Sequence, residues 1–246
     1  MTRLPHHMIK LYRVGGAVRD SYLNRSSKDI DYAVEAPSYE VMREHIVKWG
    51  GEIFLEHPEY YTIRARFPGQ LTADYVLCRK DGEYADGRRP SSVEVGTIYD
   101  DLARRDFTMN AIAVEDATGK IIDPYDGIED ITMKRIRAVG NPDERFREDS
   151  LRILRAIRFS ITLGFLIGIH TYQAIKRNRE LIYIADENRI RDELDRCFKA
   201  NSAATIGLLT ELELLNIVLT KVALKPTLEQ DYARKAMPHN VTVEAH

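Results

Sequence analysis

Up to about residue 140 the apolar positions come in short runs closed by turn residues, and beyond it they recur at helical spacing. The runs Asp29–Val34, Tyr61–Phe67 and Thr72–Cys78 are rich in β-branched and aromatic side chains and predict strands. Phe67-Pro-Gly69, Asp81-Gly82, Asp86-Gly87 and Asp123-Pro-Tyr-Asp-Gly127 supply a preset or positive φ at the turns between elements. Helices are predicted over Ala17–Leu23 and Ser38–Trp49, where Val41, Met42, His45, Ile46 and Trp49 share a face. After residue 140 glycine and proline thin out, and Phe146–Phe165, Tyr172–Ile184, Glu187–Lys199 and Ala203–Leu219 all read as helices. The polar stretch from Lys221 to His246, with prolines at 226 and 238, predicts a partial helix and a loose tail. The pattern as a whole predicts an α+β fold, a sheet with helices followed by an all-α region.

Composition narrows the partners. The 246 residues carry 36 Lys plus Arg against 38 Asp plus Glu, a formal charge of −2, so any contact with nucleic acid must come from a local patch. Cys78 and Cys197 stand far apart and suggest neither a zinc site nor a disulfide framework, which makes a reducing cytoplasm the expectation. The longest mostly apolar stretch, Phe159 to Tyr172, falls short of the ~20 residues a spanning helix needs, so no membrane segment is expected.

Candidate chemistry begins with Asp29 and Asp31, two apart in a predicted strand, where period two sends both carboxylates to one face. Two acids there repel unless something positive lies between them, and Mg²⁺ takes oxygen ligands while keeping positions open for phosphate. An isolated pair of this kind is more often solvent-facing at a sheet edge; the neighbourhood shifts the balance. Upstream, Tyr12-Arg-Val-Gly15-Gly16-Ala-Val-Arg19-Asp20 is an apolar lead-in, a double glycine and a helix start carrying an arginine. Glycines there let backbone N–H groups approach a triphosphate, and the helix N-terminus with Arg19 adds positive potential. Asp74, in a later strand of similar character, is a candidate third carboxylate for a set holding two metal ions, or else an ordinary strand-end acid.

Two further segments carry charge in a pattern. Arg104-Arg105-Asp106-Phe107-Thr108-Met109-Asn110-Ala111 gathers two guanidiniums that suit phosphate oxygens and an amide that suits a sugar hydroxyl. An Arg–Asp pair capping a structural turn is the competing reading. From Arg147 to Phe159, a continuous helix puts Ile153, Leu154, Ile157 and Ile161 on one face. Glu148, Asp149, Arg152 and Arg155 then share the other, with Arg158 at the margin. Asp149 and Arg152 make either a surface ion pair or an acceptor and donor matched to the Watson–Crick edge of a base, with Arg155 and Arg158 reaching for phosphates.

Taken in order, Gly15-Gly16-Ala-Val-Arg19-Asp20, Asp29-Ile-Asp31, the segment Arg104 to Ala111, and Glu148-Asp-Ser-Leu-Arg152 resemble the motifs of class II tRNA nucleotidyltransferases and bacterial-type poly(A) polymerases. Asp86-Gly-Arg-Arg-Pro90, Asp123-Pro-Tyr-Asp-Gly127 and Glu187-Asn-Arg-Ile-Arg-Asp-Glu-Leu194 are similar to supporting segments, the last to the family's helix-bracing motif. The likeness runs from about residue 10 to residue 219. It implies a nucleotidyltransferase-fold head with a mixed β-sheet (1–138), an all-α neck that selects the nucleotide (139–222) and a polar tail (223–246).

By that resemblance Asp29 and Asp31 bind Mg²⁺, with Gly16, Arg19 and Arg105 around the triphosphate and Asn110 at a hydroxyl. Asp149 and Arg152 resemble the family's protein template, which pairs with CTP or ATP, and Arg155 and Arg158 match further nucleotide contacts. The candidate catalytic set is therefore Asp29, Asp31 and Asp74, and the candidate nucleotide contacts also include Gly15 and Arg104. Implied partners are nucleoside triphosphates and an RNA 3′ end, foremost that of tRNA. Family members usually continue into body and tail domains that grip tRNA, so the resemblance implies a short form, which would gain surface by pairing as a homodimer. The implied activity is template-independent addition of CCA, or part of it, to tRNA. Because Trp49–Phe67 matches neither subtype's signature, a poly(A) polymerase and a catalytically silent nucleotide- or RNA-binding module are the alternatives.

Overall fold

A computed structural model of the chain describes residues 9–27, 30–82 and 92–223. Strand β1 (Lys10–Val14) runs directly into helix α1 (Gly15–Tyr22), followed by β2 (Ile30–Glu35) and α2 (Tyr39–Lys48). Three strands come next, β3 (Glu52–His57), β4 (Thr62–Arg66) and β5 (Thr72–Leu77), then the short pair β6 (Arg79–Asp81) and β7 (Val93–Val95). Helix α3 (Ile98–Ala103), strands β8 (Ala113–Glu115) and β9 (Ile121–Ile122), helix α4 (Gly127–Thr132) and β10 (Arg135–Ile136) complete the first part. The second part is α5 (Pro142–Glu148), α6 (Leu151–Leu163), a two-residue strand β11 (Leu166–Ile167), α7 (Ile169–Asn178), α8 (Glu187–Glu211) and α9 (Leu215–Ala223).

Seven strands form one mixed sheet in the order β3-β4-β5-β2-β1-β8-β9. Its neighbours are antiparallel except for β2 and β5, which run parallel and set Asp31 directly beside Asp74. Alternation explains the buried face: Ile63 and Ala65 of β4 and Ala73, Tyr75 and Leu77 of β5 point inward, and α2 covers them with Tyr39, Met42 and Ile46. Local chemistry starts the helices. The Ser38 hydroxyl accepts from the Val41 N–H, Thr97 and Asp100 form a capping box on α3, and the Asp123 carboxylate accepts from the N–H groups of Gly127 and Ile128 at the start of α4.

The largest buried cluster ties the two parts together. Val18, Phe107, Met109 and Ile136 from the sheet side pack with Phe146, Ile153, Leu154, Ile157 and Phe159 from the helical side. Backbone groups support the same junction, since β10 lies parallel to β11 and the Ala138 N–H donates to the Thr171 hydroxyl at 3.0 Å. Burial of side chains this large, at about 1.5–3 kcal/mol each, makes the junction part of the core rather than a linker.

Two expectations from periodicity are corrected. The helix expected over Phe146–Phe165 is broken, because Asp149 is extended (φ −148, ψ 102) between α5 and α6. The reason is competition for the backbone: the Asp149 carboxylate accepts from the Leu151 N–H and is drawn aside by Arg189. Asp149 and Arg152 are therefore not i and i+3 on one helix; within that segment Arg152 pairs with Glu148. The helix expected over Ala203–Leu219 is also two pieces, turned at Glu213, which has a left-handed φ of 60° and pairs with Lys176 and Arg179. The helix expected over Glu187–Lys199 is present, and the kink at the non-helical Asn201 parts it from the next stretch of helix that runs to Glu211. Of the tail, residues 224–246 lie outside the described part. Among the described residues no single helix is long and apolar enough to cross a membrane.

Candidate active site

Between the end of β1 and the helices α6 and α8 lies an open cavity of about 570 Å³. Eight arginines and four aspartates line it. Gly15, Gly16, Arg19, Asp31, Arg104, Arg105, Asn110, Asp149, Arg152, Arg155 and Arg158, separate in sequence, all reach its wall. A smaller cavity of about 130 Å³ is lined by Asp31, Asp74 and Arg64, so Asp31 is common to both. Asp29 and the segment Asp86–Pro90 lie outside the described residues.

The glycine turn is required by geometry. Gly15 has a φ of +70°, and a Cβ there would stand 3.2 Å from Arg105 Nη1 and 3.5 Å from Asp31 Oδ2. The turn thus brings the start of α1, a guanidinium and a sheet carboxylate to one point. Arg19, one turn further along α1, donates to Asp20 at 2.9 Å and to the Asn110 side-chain oxygen at 2.9 Å. Asn110 in turn donates to Asp106 at 3.0 Å, so both ends of its amide have protein partners.

Arg104 and Arg105 share one buried acid, Asp101, at 2.5 and 2.8 Å. Burial alone would raise the Asp101 carboxyl, but the charges and hydrogen bonds of Arg104 and Arg105 overcome it and hold it at about 2. Asp106 behaves likewise. Burial pushes it up, and the charge of Arg155, the hydrogen bonds of Asn110 and Arg155 and the charge of Arg152 bring it down to about 2. Arg155 reaches Asp106 with two nitrogens at 2.8 and 2.6 Å, while Arg158 reaches Glu193 at 2.5 Å. Beneath them the Phe159 ring is faced by Arg158, Arg19 and Arg155 at 4.1, 5.1 and 5.5 Å.

Asp149 and Arg152 sit on the same wall through separate braces. Arg189 donates to both carboxylate oxygens of Asp149, at 3.3 and 2.8 Å. Arg152 donates to Glu148 at 2.7 Å, to the Arg145 carbonyl at 3.3 Å and to the Arg104 carbonyl at 2.8 Å, the last reaching across to the sheet part. A guanidinium has five donors and a carboxylate about four acceptor positions, so both groups keep capacity for a ligand.

The hard-oxygen pair Asp31 and Asp74 suits a divalent cation by donor type and by register. Asp74 is also held by Arg64 through two bonds of 2.7 Å, which keeps its carboxylate oriented. Among the described residues no group of three or more His, Cys, Asp or Glu stands ready for a metal, and Asp29 is not one of those residues.

Several residues in the wall or directly behind it had no assigned place at the site from sequence alone. Asp101, three and four residues before Arg104 and Arg105, was legible from helical spacing. Asp106 carried only the reading of an Arg–Asp pair at a turn, Arg189 and Glu193 only that of a helix-bracing segment, and no local pattern announces that α8, with Arg196, borders the cavity.

Known proteins resemble this chain over most of its described length. The model of the poly A polymerase head domain matches residues 11–137, and that of the probable RNA and SrmB-binding site of polymerase A matches residues 164–225. The CCA-adding enzyme of Bacillus velezensis is 39% identical over 203 residues, which is 80% of this chain and 50% of that protein. The CCA-adding enzyme of Oceanobacillus iheyensis is 43% identical over 189 residues, 76% of this chain and 46% of that one. The solved Bacillus stearothermophilus CCA-adding enzyme in complex with CTP superposes with a TM-score of 0.72 at 34% identity, covering 85% of this chain and 49% of its own. The Thermotoga maritima CCA-adding enzyme complexed with tRNA gives 0.71 at 26% identity, covering 92% and 52%. This chain spans about half the length of the curated relatives it matches. With the mixed sheet, the glycine turn and a head-domain match over more than half its residues, the chain belongs to the family of class II tRNA nucleotidyltransferases and bacterial-type poly(A) polymerases.

Proposed function

We propose that the chain is a template-independent RNA 3′-terminal nucleotidyltransferase that adds CCA, or part of it, to tRNA from CTP and ATP. The observation that carries this reading is the meeting, in one 570 Å³ cavity, of the glycine turn, the Arg104–Asn110 segment and the Asp149–Arg152 pair around a sheet carboxylate. The relatives named CCA-adding enzymes, and the solved relatives in complex with CTP and with tRNA, support it.

The triphosphate sits against the backbone of Gly15 and Gly16, with Arg19 and Arg105 facing its oxygens. Asp29 and Asp31, with Asp74 alongside, are the residues that would hold Mg²⁺, which when bound offsets the charge of the phosphates and draws electrons from the α-phosphorus. Asp74, beside Asp31 in the smaller cavity, takes the proton of the RNA 3′-hydroxyl. The freed oxygen forms a bond to the α-phosphorus as the bond to pyrophosphate breaks. Asp149 accepts from, and Arg152 donates to, the edge of the incoming base, the two held in place by Arg189 and Glu148.

The test uses the full chain, tRNA lacking its 3′-terminal CCA, labelled CTP or ATP and Mg²⁺, with product length read on a gel. Incorporation is expected, reduced at least ~10³-fold in Asp31→Ala because the metal-holding set loses the carboxylate common to both cavities. Asp149→Ala is expected to blur the choice between CTP and ATP more than it weakens binding of either. Undiminished incorporation in Asp31→Ala overturns the reading, and retained selectivity in Asp149→Ala removes the base-reading role.

A further inference from the structure

Helix α8 brings Arg189, Glu193 and Arg196 to one side, at spacings of four and three residues. Arg189 holds Asp149 at 2.8 Å, and Glu193 holds Arg158 at 2.5 Å. Arg196 lines the same cavity, is exposed, and has no hydrogen bond or ion pair among the described residues. The other seven arginines of the wall each hold a carboxylate.

An exposed arginine without a partner is ordinary on a surface, but this one adds to charge already gathered. Behind the four wall aspartates stand Asp101, Glu148 and Glu193, and Glu148 also pairs with Arg145, so nine guanidiniums meet seven acids and positive charge is in excess. Burial is the main cause that lowers the proton affinity of Arg158; Glu193 opposes it, and the like charges of Arg155 and Arg196 add to the lowering. Placing Arg196 beside that pair costs energy unless an anion enters between them.

Helix geometry says which end of a nucleotide would meet it. The break at Asn201 lies beyond Arg196, so the helix is regular from Arg189, and seven residues separate the two by about 10 Å along the axis. Arg189 marks the Asp149 end of the cavity. Arg196 lies toward the other end, past Glu193 and its partner Arg158, and Arg158 and Arg19 of α1 both stand over the Phe159 ring. Helix α1 is the one that opens with the glycine turn.

We propose that Arg196 binds the terminal phosphates of the nucleoside triphosphate, the β–γ end that departs as pyrophosphate. This rests on reading the cavity as the nucleotide site and adds a residue from the helical part to its phosphate contacts. Having no carboxylate to release, Arg196 can form a charge-assisted bond to phosphate without leaving a buried acid unpaired.

The experiment is equilibrium titration of the full chain with CTP, with CMP and with tRNA lacking CCA, for the unaltered protein, Arg196→Ala and Arg196→Lys. Arg196→Ala is expected to weaken CTP roughly tenfold, in line with loss of one hydrogen bond to a charged group, while CMP and tRNA stay within about twofold. Arg196→Lys recovers part of the loss. Thermal midpoints should coincide, because Arg196 has no partner to lose. Equal weakening of CTP and CMP, no weakening of either, or weakening confined to tRNA overturns the proposal and, in the last case, gives the residue to the RNA backbone instead. If the unaltered protein binds no CTP, the nucleotide reading of the cavity fails first and this assignment falls with it.

Discussion

Asp101 and Asp106 belong to one short stretch and are both buried and held at about 2, yet they meet their guanidiniums by different routes. Asp101 binds Arg104 and Arg105, three and four residues on, as the geometry of α3 and its C-terminal end dictates. Asp106 binds Arg155, 49 positions away on α6, and Glu193 repeats that long-range pattern with Arg158, 35 positions away. The local clamp aims two arginines at the cavity from within the sheet part. The Asp106–Arg155 pair fastens the helical part to it, and Glu193–Arg158 joins two helices within that part. The same acid–guanidinium chemistry therefore shapes the site in one place and assembles it in the other.

The largest effect expected to separate the two is Asp106→Ala, with a loss of about 3–5 kcal/mol in urea unfolding, the usual cost of removing one partner of a buried pair. Besides Arg155, it would orphan the Asn110 amide and the Phe107 N–H, both buried. Asp101→Ala should cost less, about 1–3 kcal/mol, because Arg105 keeps its bond to the Asn110 carbonyl and both arginines open onto the cavity. A loss as large as that of Asp106→Ala would erase the distinction between clamp and fastener. At ordinary pH the smallest effect is acid sensitivity. Both carboxyls are lowered by folding, so their stabilisation is full above about pH 4 and is lost as pH falls toward about 2. Circular dichroism followed from pH 5 to 2 should show this loss, and Asp106→Asn should show less of it; a signal flat over that range in the unaltered protein contradicts the paired carboxylates.

How much could be read beforehand differs between these settings. Strands Ile30–Glu35, Thr62–Arg66 and Thr72–Leu77 follow from alternation and turn residues, because burial of one sheet face imposes period two on side chains. The Gly15-Gly16 turn was legible too, since a left-handed φ next to crowded atoms admits little else. That Asp74 would lie beside Asp31 was not, because β5 joins β2 in parallel only after two intervening strands. The break at Asp149 also escaped. Its surroundings favour a helix by propensity, but the carboxylate accepts from the Leu151 N–H and is held by Arg189 from 40 residues downstream.

Residue order dictated where elements begin and end and which side chains carry chemistry, since caps, turns and periodic burial act over a few bonds. Pairing of charges answered to something else. Whether Arg155 faces Asp106, Arg158 faces Glu193, or Arg196 pairs with no acid among the described residues depends on distances and burial set by the apolar core that joins Phe107 to Phe159. Coulomb attraction and desolvation vary steeply with those distances, and no spacing along the chain contains them.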